Sequence, residues 1–218
     1  RDVFIQRHMD KLIGNYGIGH VRYPTAGGAG KEFAQPMYVN SPYGISLAHN
    51  GNLTNSESLA NELFHAEMRH LNTDSDSEVL LNIFAHELGK QREIYPEARH
   101  IFKAVKKTHR RCDGAYAVIG LITGFGLVAF RDANGIRPLI IGIRKGKTRD
   151  EYMIASENAA FTSLGFETLR DVEPGEAIFI DNKGKLHSQQ CAEVYQERPC
   201  IFEYVYFARP DSTIDQIS

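Results

Sequence analysis

Three short polar segments contain residue types from which a binding or catalytic site can be built. The first ends in Arg22, which closes a predicted strand and precedes a loop rich in Gly and Ala, residues 26–34. A guanidinium in that place can hold a carboxylate through two parallel hydrogen bonds. From this residue alone, a solvated surface arginine is the favoured interpretation.

The other two segments surround Asn50-Gly51 and Asp76. Asn-Gly is commonly a simple turn, but a side-chain amide beside a glycine N–H is also the makeup of an oxyanion hole. Asp76 opens a predicted helix, where free N–H groups and the helix dipole stabilise a carboxylate. It is either an ordinary capping residue or an anion that holds an ammonium group, and the residues alone leave both alternatives open.

Three helices are predicted in the first half of the chain. Thr54-Asn55-Ser56-Glu57 has the pattern of a capping box, and apolar residues at helical spacing continue to about residue 70. Ser75-Asp76-Ser77-Glu78 repeats that pattern before a helix that ends near Gly89. The third helix begins near Pro96, because proline is favoured in a first turn.

Strands flank the helical block on both sides. Gly124 and Asn134-Gly135 lie between consecutive strands and suit hairpin turns, which predicts antiparallel pairing. Strands that flank a helical block indicate an α+β fold, with helices packed on sheet faces. No repeat or low-complexity linker divides the chain, so one domain over residues 1–218 is predicted. The predicted strands are residues 17–23, 44–48, 116–121, 126–130, 139–143, 152–155, 176–180 and 201–207.

Composition excludes several classes of function. The 218 residues carry 25 Lys and Arg against 27 Asp and Glu, a net charge of −2, which provides no basic field for nucleic acid. No apolar run is long enough to cross a bilayer. Three cysteines without the spacing of a disulfide framework favour a reducing compartment, so a cytoplasmic protein is expected.

Common cofactor and metal motifs fail at specific positions. Gly27 to Lys31 resembles a phosphate loop, but Thr25 stands where the first Walker glycine belongs and Glu32 replaces the hydroxyl residue. The alternation of acidic residues near Asp76 lacks the glycine of a calcium loop, since Val79 occupies that position. No cysteine or histidine pair has zinc-ligand spacing, so no metal is expected.

The chain resembles class II glutamine amidotransferases, whose glutaminase domains are N-terminal-nucleophile hydrolases, and more narrowly the amidophosphoribosyltransferase family. The resemblance runs in order through nearly the whole chain. Tyr23 separates it from glucosamine-6-phosphate synthases, which carry a tryptophan after the binding arginine. The matching stretches are GIGHVRYPTAG (17–27), NSPYGISLAHNGNLTN (40–55), SDSE (75–78), FRDANGIRPLIIG (130–142), ASE (155–157) and EYVYFARPDS (203–212).

The resemblance implies a four-layer αββα sandwich, with two antiparallel sheets between helical layers. It also implies a reaction in which an N-terminal cysteine attacks the side-chain amide of glutamine, with its own α-amino group as base. A thioester forms, ammonia leaves, and water releases glutamate. The ammonia then displaces pyrophosphate from phosphoribosyl pyrophosphate in a second domain, which gives phosphoribosylamine for purine synthesis.

The resemblance assigns roles residue by residue. Arg22 would hold the α-carboxylate of glutamine with help from Thr25, and Asp76 would hold the α-ammonium. The Asn50 side chain and the Gly51 N–H would form the oxyanion hole. Residues 23–32, starting at Tyr23, would be a lid over the substrate. One cation, one anion and two neutral donors suit a zwitterionic amino acid whose amide oxygen gains charge.

The sequence departs from the family pattern at its start, where residue 1 is Arg and no N-terminal cysteine is present. The expectation is a glutaminase domain without its nucleophile segment and without the phosphoribosyltransferase domain, and therefore inactive by itself. The parent enzyme is expected to need Mg²⁺ for phosphoribosyl pyrophosphate and to form a homo-oligomer. Some relatives ligate an iron–sulfur cluster through a cysteine at the position of Cys200, and the overall resemblance is closer to the cluster-free type.

Two alternatives remain. One is a degenerate module that binds glutamine and has lost its chemistry. The other is a different class II amidotransferase, such as a glucosamine-6-phosphate synthase.

Overall fold

The computed structural model describes residues 5–21, 30–193, 197–209 and 211–215. Five α-helices lie in these ranges: α1 Gln6–Met9, α2 Ser56–His65, α3 Asp76–Gly89, α4 Ala98–Arg111 and α5 Ala159–Ser163. A one-turn 3₁₀ helix covers Lys31–Phe33, and a π-helix covers Glu203–Phe207. None of the helices in the described part of the chain is long and apolar enough to span a lipid bilayer.

The strands form two antiparallel sheets. Among the described residues, six strands pair in the order β1-β2-β3-β4-β8-β9, and three pair in the order β6-β5-β7. The strand bounds are β1 Met37–Val39, β2 Ile45–Leu53, β3 Gly114–Ile122, β4 Gly126–Arg131, β5 Ile140–Arg144, β6 Glu151–Ala155, β7 Glu167–Asp171, β8 Glu176–Asp181 and β9 Leu186–Gln190.

Alternation along the strands builds three apolar layers. Tyr116 and Val118 of β3 face the core beneath α2, α3 and α4, whereas Ala117 between them faces the second sheet. Ile141 of β5 packs between the sheets, and its neighbour Ile140 packs outward with Phe161 of α5. Because successive strand side chains point to opposite faces, each sheet is covered on both sides. The result is the expected α+β arrangement of helices, sheet, sheet and helices.

Two predicted strands are wrong. Residues 17–21 are not in a strand, and the remainder of that prediction, Arg22 and Tyr23, lies outside the described residues. Residues 201–207 are helical instead of extended. Their β-branched and aromatic content suggested a strand. In the structure, Glu203 is the first residue of the π-helix, and its buried carboxylate forms an ion pair with Arg137. Local propensity is weak against such a tertiary contact.

The Gly124 turn joins β3 to β4 as predicted, with a φ of +82°. The hairpin predicted at Asn134-Gly135 is wrong, because β4 and β5 lie in different sheets. That segment is a crossing loop organised by Asp132, whose carboxylate accepts hydrogen bonds from the N–H groups of Asn134, Ile136 and Arg137. Sequence patterns identified the turn residues but not which sheet each strand joins.

Helix starts also differ in detail. No capping box forms at Thr54, since α2 begins at Ser56 and the Thr54 hydroxyl donates to the Asp113 carbonyl. Ser75 caps α3 and accepts from the Ser77 N–H, but the second half of the predicted box does not form, because the Ser75 N–H donates to the Thr73 hydroxyl and the Glu78 carboxylate accepts from the Thr73 N–H. α4 begins at Ala98, two residues after the proline, with a reciprocal capping box between Glu97 and His100.

The three short strands β1, β7 and β9 were not predicted. β7 and β9 are largely polar, and β1 has only three residues.

Candidate active site

A cavity of about 930 Å³ opens at the end of the sandwich where β2 meets the start of α3. Asn50, Gly51 and Asp76 all line it, although Asp76 lies 25 positions after Gly51 in the sequence. The opposite wall comes from the second sheet and from the crossing loop, and includes Tyr152 and Arg137. The fold therefore brings together three of the residues to which the sequence assigned a role.

Gly51 occupies a position that only glycine fits. Its φ is +148°, and a Cβ added there would lie 1.9 Å from the Ala115 carbonyl oxygen of β3. Glycine is the residue that adopts such a conformation without strain. The close approach of the two backbones fixes the path of β2 at Gly51, and it also fixes the neighbouring Asn50 at the edge of the cavity.

Asp76 is the first residue of α3 and is held from the side by β2. Its Oδ2 accepts a hydrogen bond from the Leu53 N–H at 3.0 Å, and its side chain is 23% exposed. The helix N-terminus favours a negative charge at this place. The carboxylate is thus oriented by one hydrogen bond and still open to the cavity, an arrangement that suits an ammonium ligand.

A small polar network that the sequence did not identify lies beneath these residues. His49 is 3% exposed, its Nδ1 lies 3.1 Å from the Ser77 Oγ, and its backbone N–H donates to the Gln35 Oε1. Burial lowers the pKa of His49 despite the nearby Asp76 carboxylate, so the imidazole is neutral at physiological pH. The sequence signal that could have identified these residues is their adjacency to predicted site residues: His49 directly precedes Asn50, and Ser77 directly follows Asp76.

Arg137 is a second residue that the sequence analysis left without a role. The Asp132-organised loop carries it to the cavity wall, where its guanidinium pairs with Glu203 and lies 5.6 Å from the centre of the Phe207 ring. It lies within the stretch FRDANGIRPLIIG (130–142), which resembles the family without indicating a role for this arginine. No local pattern indicates that the loop crosses between the sheets and brings the guanidinium to this place.

Arg22, Tyr23 and Thr25 lie outside the described residues, as does most of the predicted lid. Of the lid, residues 30–32 are described, and Lys31 begins the one-turn 3₁₀ helix that leads toward β1. Phe33 and Gln35, which follow the lid, line the cavity. The roles of Arg22, Tyr23 and Thr25 remain predictions.

The internal cysteines are poorly suited to nucleophilic chemistry. Burial raises the pKa of Cys112 to about 12 and that of Cys191 to about 11, so both thiols are protonated at neutral pH. Cys200 is partly buried, and it belongs to no metal-ligating group among the described residues.

One group within the described ranges has the composition of a metal site: Glu67, His86 and Glu87. Arg111 already neutralises it, since its guanidinium lies 2.9 Å from a Glu67 oxygen and 2.8 Å from a Glu87 oxygen. His86 lies 3.1 Å from the same Glu67 oxygen. These contacts form an ion-pair network between α3, α4 and the segment after α2, in which the guanidinium stands where a metal cation would.

Comparison with known proteins identifies the family. The model of the glutamine amidotransferase domain matches residues 28–163. Amidophosphoribosyltransferases of Pseudomonas aeruginosa and Escherichia coli are 59% and 60% identical to the chain over 218 residues. All of the chain is covered in both comparisons, and it spans 44% and 43% of the length of these two relatives.

A solved structure supports the same assignment. The glutamine phosphoribosylpyrophosphate amidotransferase of B. subtilis, complexed with ADP and GMP, superposes with a TM-score of 0.74 at 34% identity. The superposition covers 91% of this chain and 40% of that one. With a family model that matches more than half of the sequence, the chain belongs to the glutamine amidotransferase domain family, and the relatives and the solved structure to which it is similar are amidophosphoribosyltransferases.

Proposed function

We propose that this chain is the glutaminase region of an amidophosphoribosyltransferase, and that the complete enzyme uses it to hydrolyse glutamine to glutamate and ammonia. The observation that carries the proposal is the convergence of Asn50, Gly51 and Asp76 on one cavity. An oriented carboxylate and an amide next to a glycine N–H are the groups that an amino acid with a reacting side-chain amide requires. The identity to amidophosphoribosyltransferases supports the same activity.

In this proposal each binding residue contacts a different group of the glutamine substrate. Asp76 binds the α-ammonium, and Arg22 binds the α-carboxylate with help from Thr25, while Tyr23 and the residues after it close over the substrate. The Asn50 side-chain amide and the Gly51 N–H donate to the amide oxygen, which becomes negatively charged in the tetrahedral intermediate. Donors that are fixed before the reaction stabilise this charge without reorganisation.

The nucleophile in this proposal is the N-terminal cysteine that the family resemblance implies. Its thiolate attacks the amide carbon, and its α-amino group takes the thiol proton and passes it to the departing ammonia. Water then cleaves the thioester and releases glutamate. Cys112, Cys191 and Cys200 are internal, so their nitrogens are amides that cannot serve as the base.

We assign the use of the ammonia to a phosphoribosyltransferase domain, where ammonia displaces pyrophosphate from phosphoribosyl pyrophosphate with Mg²⁺ and yields phosphoribosylamine for purine synthesis. The surface that we assign to this domain is the π-helical segment and its preceding turn. Ile201, Phe202, Val205 and Tyr206 there are 59–70% exposed, and contiguous exposed apolar surface commonly marks an interface. A homo-oligomer in the cytoplasm completes the proposal.

The test follows nitrogen from the glutamine amide in the complete gene product. Glutamine labelled with ¹⁵N in the amide should yield one glutamate for each labelled phosphoribosylamine, and free ammonia should support the same product without glutamate release. Product formation from ammonia with no glutamate release from glutamine would contradict the glutaminase assignment. Glutamate release without phosphoribosylamine would contradict the assigned acceptor.

A further inference from the structure

The side chain of Gln35 connects the two elements that carry the proposed glutamine-binding groups. Its Oε1 accepts a hydrogen bond from the His49 N–H of β2 at 2.7 Å. Its Nε2 donates to the Ser77 Oγ of α3 at 3.0 Å. His49 directly precedes Asn50, and Ser77 directly follows Asp76. One amide therefore spans the oxyanion side and the ammonium side of the cavity.

The bridge closes into a ring through a third contact, because the Ser77 Oγ lies 3.1 Å from the His49 Nδ1. Gln35, Ser77 and the neutral His49 thus form a network without net charge. Asp76 lies at its margin, with Oδ1 3.5 Å from the Ser77 Oγ and 4.0 Å from the His49 Nδ1. Since no charged member of the ring compensates it, the charge of Asp76 is available to a cationic ligand.

The position of Gln35 in the chain adds a third connection. It stands two residues after the 3₁₀ helix Lys31–Phe33, into which the predicted lid, residues 23–32, runs. Gln35 itself lines the cavity. Gln35 therefore ties the segment that follows this 3₁₀ helix to both β2 and α3.

We propose that Gln35 is a positioning residue for glutamine: it sets the direction and spacing of Asn50-Gly51 relative to Asp76. The proposal rests on the proposed function, since it concerns the same cavity. Gln35 acts through its neighbours and need not touch the substrate. A displacement of about 1 Å between catalytic groups can cost on the order of 100-fold in rate, so a bridge of this kind affects chemistry.

The decisive variant is Gln35→Met, which keeps the length of the side chain and removes both hydrogen bonds. In the complete gene product, kcat/KM for glutamine should fall by about tenfold to a hundredfold, with KM raised and kcat lowered, because both sides of the cavity move. The rate with free ammonia should stay within about twofold of the wild type, since ammonia bypasses this cavity. Gln190→Met is a matched control, because Gln190 also makes two hydrogen bonds, to the Pro174 and Ala192 carbonyls in a different part of the fold.

A double-mutant cycle separates positioning from general support of the fold. Ser77→Ala removes the acceptor of the Gln35 amide, so the double variant should lose less than the product of the two single losses. Multiplicative losses would show that the two side chains act independently and would overturn the bridge. If Gln35→Met cannot be recovered folded, Gln35→Glu decides instead, since it keeps the acceptor for the His49 N–H and should show a partial loss with glutamine only.

The outcomes distinguish this proposal from the one on which it rests. Wild-type protein that releases no glutamate from glutamine would overturn both. An active wild type with an unchanged Gln35→Met would overturn only the positioning role. Equal losses with glutamine and with ammonia would show that Gln35 supports the fold or another site, and this result also overturns the proposal.

Discussion

The Leu53 N–H donates to the Asp76 Oδ2 at 3.0 Å and fastens the strand that carries Asn50 and Gly51 to the helix that carries the carboxylate. This bond holds the predicted anion and the predicted oxyanion donors at a fixed separation on one cavity. In the proposed function, some of these residues bind the substrate and others stabilise the transition state. Single substitutions should therefore separate effects on KM from effects on kcat. All measurements below concern the complete gene product.

Asn50→Ala should act on turnover. Its amide donates to an oxygen that gains charge only as the tetrahedral intermediate forms, so the loss appears in kcat for glutamine with a smaller change in KM. A decrease of about 100- to 1,000-fold, or about 2.7–4 kcal/mol, is typical of one oxyanion donor. Steady-state kinetics with glutamine and with ammonia check it, and an unchanged glutamine kcat would show that Asn50 is not an oxyanion donor.

Arg22→Ala should act on affinity. In the proposed function Arg22 holds the α-carboxylate, which does not change during the reaction, so KM for glutamine should rise sharply while the ammonia reaction persists. Arg110→Ala, on the exposed face of α4, is a control that should leave both reactions unchanged. If Arg22→Ala also abolishes the ammonia reaction, the residue has a role outside the glutamine site.

Gly51→Ala should disrupt both stability and glutamine hydrolysis. The added Cβ would meet the Ala115 oxygen at 1.9 Å, so β2 must move away from β3, and the φ of +148° adds strain of about 1–3 kcal/mol. Gly124→Ala is the matched control, with a φ of +82° and open space around the added atom. Thermal unfolding should show a larger decrease of Tm for Gly51→Ala than for Gly124→Ala. Equal decreases would mean that backbone conformation alone, without the close approach of β3, accounts for the requirement for glycine.

His109 should make stability depend on pH. Burial lowers its pKa from 6.5 to about 4 in the folded protein, while its Nδ1 lies 2.8 Å from the Tyr116 hydroxyl. The unfolded chain therefore binds the extra proton first, so the free energy of unfolding falls as pH drops below 6.5 and levels off below about 4. At 1.36 kcal/mol per pKa unit, the full effect is roughly 3 kcal/mol.

The check on His109 is denaturant unfolding between pH 7 and pH 4, with His109→Gln as the comparison, because the glutamine amide can still accept from Tyr116 and does not titrate. The stability advantage of the wild type over His109→Gln should shrink as the pH falls through this window. A constant difference across it would show that the imidazole does not titrate between the two pKa values.

The sequence by itself determined the helical block, most of the strands and the α+β class, because these follow from local periodicity and from turn residues such as Gly124. It also indicated the residues with chemistry to offer. Asn50-Gly51 has the donors of an oxyanion hole, and the Ser75-capped start of α3 places Asp76 where a carboxylate is stable. These are properties of a few consecutive residues, so they can be predicted from local sequence alone.

Only the tertiary structure decided which of those residues share a cavity. The Asn134-Gly135 segment crosses between sheets, and residues 201–207 form a helix, because the Asp132 and Arg137–Glu203 contacts join positions that local patterns cannot relate. The same holds for Gln35, whose amide is unremarkable in sequence until folding brings β2 and α3 within hydrogen-bond distance of it. Hydrogen bonds between distant segments depend on the global path of the chain, so neither spacing nor propensity encodes them.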